Sequence, residues 1–184
     1  MPYSKQQAES ALNDVDRAER RAAVLRGYER GAPHCILWGL IWIVGYGLSD
    51  VLAQWSGLIW MFLTVCGMLG GYLIGRTAKR RNASASSGWR YPALGAALLI
   101  FMFATYYVMA PRTGAQLGAF PPLVIAFVYV LVGIWRGSRW ILAGIAIGAL
   151  TVIGFGFLNE HFMLWMAFVG GSALILTGLW LRRA

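Results

Sequence analysis

Acidic side chains are nearly missing from this chain after its first 30 residues. Five of its Asp and Glu residues (Glu9, Asp14, Asp16, Glu19 and Glu29) lie there, and from Gly31 onward only Asp50 and Glu160 remain. Charged residues make up 12% of the whole, about half the roughly 25% usual for soluble domains. A stretch with almost no anionic surface excludes water as its solvent. Cysteine is scarce as well. Cys35 and Cys66 sit within or beside apolar runs, with no CxxC pair, which excludes a disulfide framework and reads as two small buried hydrophobes. One histidine beside one cysteine, His34-Cys35, is too few ligands for zinc, which takes about four. From Met1 to Gly31 no apolar run resembles a cleavable leader, so targeting falls to the first membrane helix.

Chemistry-bearing motifs are also lacking. No nucleophile stands beside a base, and no cofactor or metal site is expected. Within the apolar runs the polar residues are Thr64, Tyr106, Thr151, Ser172 and Thr177, each able to satisfy itself on its own helix backbone or a neighbour. A charged group at mid-membrane depth, the usual mark of a proton or ion path, is absent from these runs.

What the sequence does contain is hydrocarbon: 59% apolar residues, with nine Trp and eight Tyr. Six apolar segments follow one another at about 34–53, 57–75, 91–109, 120–135, 140–158 and 162–181. Roughly 20 residues of helix cross a hydrocarbon core of about 30 Å. The fourth segment is short and opens at Pro121-Pro122, which suit a first helical turn. Trp55, Trp60, Trp89, Tyr91, Trp135, Trp140 and Trp180 stand at segment ends, as interfacial anchors do.

The net charge of +9 does not read as nucleic-acid binding, because the bases are clustered between apolar runs. With the N-terminus in the cytoplasm, every Lys and Arg except Arg112 falls on the cytoplasmic side, as the positive-inside rule requires. Dropping the first or fourth segment would move a basic cluster to the wrong side. The fold expected is an all-α integral membrane protein: a six-helix transmembrane bundle over 33–184, preceded by a cytoplasmic amphipathic helix over 1–32. The general look is that of a small bacterial inner-membrane protein with both termini in the cytoplasm.

The lead helix carries a heptad-like stripe of Ala8, Ala11, Val15, Ala18, Ala22 and Leu25, built mostly of alanine and so weak in burial. Ser4 and Gln7 fit a capping box at its start. Gly31 and Pro33 are expected to break it. Similar helix endings at Gly75-Arg76, Gly133–Arg136 and Gly178–Arg182 raise the possibility of three repeated helical hairpins.

Small residues recur at helical spacing. Gly67, Gly71 and Gly75 form a GxxxGxxxG run, and Gly144 and Gly148 a GxxxG, with Ala167 and Gly171 a looser pair. Such residues let helix backbones approach closely in lipid, either inside one bundle or between copies. Trp38, Trp42 and Tyr46 form a stripe that faces lipid, a neighbouring helix or an apolar ligand. Asp50, Arg112, Asn159, Glu160 and His161 share the outer face. They either converge into a polar mouth or cap helix ends there. The Asn82 sequon falls on the cytoplasmic side, and the basic loop Arg76–Arg90 sets topology or rests on anionic headgroups.

These features favour a non-enzymatic membrane protein acting through partners: a cytosolic protein docked on residues 4–30, or another copy of itself. A transporter or channel for a neutral or apolar solute is the alternative, and a membrane enzyme the least supported reading.

Overall fold

The computed structural model describes residues 5–81 and 90–183, with side chains given from Glu9 to Thr77 and from Ala93 onward. Seven α-helices account for nearly all of it: α1 (Lys5–Val51), α2 (Ser56–Arg81), α3 (Arg90–Met109), α4 (Gly114–Arg136), α5 (Ser138–Phe157), α6 (Phe162–Trp165) and α7 (Gly171–Arg182). No strand occurs among the described residues. A π-helical turn, Met166–Gly170, joins α6 and α7 into one rod. Five stretches are long and apolar enough to cross a membrane, within Glu9–Val51, Ala53–Thr77, Gly114–Arg136, Ser138–Phe157 and Asn159–Arg182, and Ala93–Met109 is a shorter apolar helix.

The expected break at Gly31 and Pro33 does not occur. α1 runs for 47 residues straight through both. Pro33 removes one backbone donor and crowds the preceding turn, but tertiary burial outweighs the local preference. Tyr28, Ala32 and Cys35 are buried on one face of this stretch against Trp140 and Leu181. Spanning helices tolerate proline where neighbouring helices support the freed carbonyl. The lead helix and the first apolar segment are therefore one rod.

The fourth helix also departs from the expected bounds. It begins at Gly114, about two turns before the proline pair, behind a Thr113 N-cap. Gln116 N donates to Thr113 Oγ1 at 3.1 Å, and Thr113 N donates back to Gln116 Oε1 at 3.2 Å. That reciprocal box satisfies two of the donors every helix start leaves open. Pro121 and Pro122 then lie inside the helix. The Ser4 cap, the Asn82 sequon, Trp89 and most of the loop beside it lie outside the described residues.

Helix pairing follows the first expected hairpin, α1 with α2, but its most extensive contacts lie elsewhere. The most extensive contacts join α4 with α5 and α1 with α7, while α2 packs on α1. α3 touches the bundle lightly, through Tyr106, whose hydroxyl donates to Leu117 O at 2.7 Å, and through Phe101 and Tyr106 beside Phe120. The main core joins Ile41, Trp42 and Tyr46 of α1 to Ala119, Ile147, Phe162, Met166 and Leu174. Outward faces carry large apolar side chains on every long helix, among them Phe62, Leu69, Phe103, Val108, Phe127, Val152 and Phe168. Soluble proteins rarely expose so continuous an apolar surface.

Candidate functional site

Small residues determine which helices meet closely. A Cβ added at Gly39 would stand 2.8 Å from Gly171 O, and one at Gly178 would stand 2.7 Å from Ala32 O. The α1–α7 crossing is thus nearly backbone on backbone. Gly144 does the same for α4 and α5, where an added Cβ would lie 2.6 Å from Ala126 O, while Gly148 has ordinary contact with Ala126 Cβ at 3.5 Å. The GxxxGxxxG run of α2 faces α1 of the same chain. Gly67 lies under Trp38 and Ile41, Gly71 lies beside His34, and Gly75 has open space around it.

The aromatic stripe of α1 turns inward. Trp42 and Tyr46 are buried, and Tyr46 stacks edge-on to Trp60 with ring centres 4.8 Å apart. Its hydroxyl donates to Gly118 O at 2.6 Å. Neighbouring helices fill the space that an apolar ligand would need. Trp60 and Trp140, expected as interfacial anchors, pack inside instead. Trp140 is 7% exposed, and its buried indole N–H has no hydrogen-bond partner among the described residues. Two of the polar residues within the apolar helices bond to their own backbone: Thr151 Oγ1 donates to Ile147 O at 2.8 Å and Thr177 Oγ1 to Ala173 O at 2.7 Å. Cys35 Sγ and Tyr129 Oη share a hydrogen bond at 3.3 Å in the interior. His34 Nδ1 lies 3.1 Å from Arg30 O. No group of three or more metal-ligating side chains gathers among the described residues.

Of the five polar residues expected on the outer face, the structure brings three together. Asn159, Glu160 and His161 occupy one 3₁₀ turn and line a shallow recess with Gly156, Phe157 and Leu158. Asn159 Nδ2 donates back to Phe155 O at 3.4 Å, so it covers the end of α5 and does not cap the next helix. Asp50 lies in the last turn of α1 and Arg112 in the α3–α4 loop, both exposed. No ion pair or hydrogen bond joins any of these five side chains to another among the described residues.

A denser arrangement lies at the opposite end and was missed in the sequence. Gly137, at φ +114°, turns the chain from α4 into α5 in a conformation that side-chain-bearing residues rarely adopt. Tyr28 and Val24 of α1 pack directly on that glycine. Arg139 N donates to Tyr28 Oη at 3.4 Å, and Arg139 Nη1 donates to Trp180 O at 2.7 Å. The guanidinium carbon lies 5.6 Å from the Tyr28 ring centre and 5.0 Å from that of Trp180, within cation–π range. One arginine therefore ties α1, the α4–α5 turn and the end of α7 together. A single Gly between Arg136 and Ser138 was the available signal.

Above this clamp α1 continues as a stem. Every residue from Glu9 to Arg21 is exposed, including Leu12 and Val15. The stretch 5–27 measures about 35 Å at helical rise. Comparison with protein-family models, with curated proteins and with solved structures finds no match for this chain.

Proposed function

We propose that this chain is a six-span protein of a bacterial inner membrane, with both ends in the cytoplasm, that acts by binding a helical protein partner through the exposed stem of α1. The observation that carries the reading is the contrast along one helix. From Tyr28 onward α1 is gripped by Trp140, Leu181 and Arg139, whereas residues 9–21 are exposed on every side. The stem's stripe of Ala11, Val15, Ala18 and Ala22 is narrow and small, suited to close approach of a second helix. Acids and bases alternate around it (Asp14, Asp16, Glu19 against Arg17, Arg20, Arg21), which favours a defined register over general stickiness. The clustering of bases between apolar helices supports the cytoplasmic placement of this end.

Photo-crosslinking residues placed one at a time along the stem of the full-length protein test this in cells. Adducts are expected at positions 11, 15, 18 and 22 and not at 13, 17 and 20. A product at twice the 20.2 kDa chain mass identifies a second copy, and any other mass identifies a different protein. Adducts spread evenly around the helix, or none at all, would overturn the proposal.

A further inference from the structure

We infer that the groove between α5 and α7 holds one acyl chain of an anionic phospholipid, with the lipid phosphate seated between Arg139 and Arg183. The groove has a physical origin. Gly144 draws α5 onto α4, and Gly171 and Gly178 draw α7 onto α1, so these two helices are each pulled toward another partner and leave a seam. α5 contributes Leu142, Ala143 and Ala146 to its walls, and α7 contributes Ala173, Leu176 and Trp180. Its alanines provide depth, and the Thr177 hydroxyl is already bonded to Ala173 O, so the walls are apolar. The recess is an open furrow of about 350 Å³, at the low end of ligand-sized sites, which start near roughly 300 Å³. That volume admits a stretch of chain rather than a folded ligand.

Charge decides which lipid. On α5 the groove positions 142, 143 and 146 extend back by helical spacing to Arg139. On α7 the positions 173, 176 and 180 extend forward to Arg183. The two residues stand side by side: Trp180 O accepts from the Arg139 guanidinium Nη1 at 2.7 Å and from the backbone N–H of Arg183 at 3.2 Å. Arg139 is held by the rings of Tyr28 and Trp180 and keeps further N–H donors for phosphate oxygens. Arg183 is exposed. An apolar groove between spanning helices with one fixed base, Arg139, and one exposed base, Arg183, at the same mouth has the chemistry of an anionic headgroup site. The inference requires a surrounding bilayer but not a protein partner on the stem.

Native mass spectrometry of the detergent-purified full chain, with added phosphatidylglycerol or phosphatidylcholine of equal chain length, tests it. Wild type is expected to retain one phosphatidylglycerol, and Arg183→Gln to weaken retention roughly fivefold. Arg182→Gln, the same charge change off the groove line, should leave it unchanged. Ala146→Leu, at an exposed wall position, should displace both lipids, whereas Ala146→Ser should keep them. Equal weakening by Arg182→Gln and Arg183→Gln would mean diffuse surface attraction and would overturn the assignment. So would full retention by Ala146→Leu, or competition by inorganic phosphate alone.

Discussion

A Cβ added at Gly144 would stand 2.6 Å from Ala126 O and 2.9 Å from Val130 Cγ2, whereas Gly75 has nothing within 4 Å. Both belong to small-residue motifs of the same spacing, yet they make opposite demands. At Gly144 even a methyl group must push two backbones apart, and overpacking of that kind costs about 1–3 kcal/mol. At Gly75 the missing side chain only leaves the helix more freedom to lose, and alanine is favoured by up to about 1 kcal/mol. We therefore expect Gly144→Val to lower the melting temperature of the solubilised protein clearly, and Gly75→Ala to leave it unchanged or raise it. Equal losses at the two sites would place a close neighbour at Gly75 as well, for instance a second copy. The spacing of glycines was legible in the sequence. Which glycine meets a backbone was not, because that depends on helix pairing, which residue types alone do not encode. The Gly39–Gly171 and Gly178–Ala32 approaches join the first and last long helices and illustrate the difficulty.

At the scale of elements, positions of helices were more legible than their ends. Length and apolarity located every long helix, because hydrocarbon demands both. The start of α4 was less legible although Thr113 and Gln116 have the T-x-x-Q spacing of a capping box, because the proline pair offers a competing start signal further along. The continuity of α1 through Pro33 was not legible, because it rests on burial of Tyr28, Ala32 and Cys35 against helices distant in sequence. That continuity has a measurable consequence. Spin labels at Arg20 and Leu40, both exposed, should give a narrow distance distribution centred near 30 Å, from about 1.5 Å of rise per residue. A hinge at Gly31 and Pro33 would give a broad distribution at shorter distances. The clamp of Arg139 holds α1 at Tyr28, less than two turns before the proline, so Arg139→Gln should broaden the distribution without abolishing the peak.

At the scale of the molecule, the parity of the apolar helices turns on α3. The helix spans 20 residues, about 30 Å. Its Tyr106 reaches Leu117 O near the start of α4, so it ends where α4 begins. If α3 crosses the bilayer, Arg136, Arg139, Arg182 and Arg183 share the leaflet of the stem and its bases. If it does not, those four arginines fall on the opposite side and the charge asymmetry is lost, against the positive-inside tendency. Single cysteines test this in a Cys66→Ala background, since Cys35 is buried. We expect Arg112→Cys and Asn159→Cys to react with an impermeant maleimide in intact cells, and Ser138→Cys to react only after the membrane is opened. Labelling of Ser138→Cys in intact cells would leave α3 on the membrane surface. The stem and the Arg139 clamp would then lie on opposite sides of the bilayer, an arrangement that the direct contact between Tyr28 and Arg139 forbids. The same contact that positions the stem thus ties the parity of the helices to the fold itself.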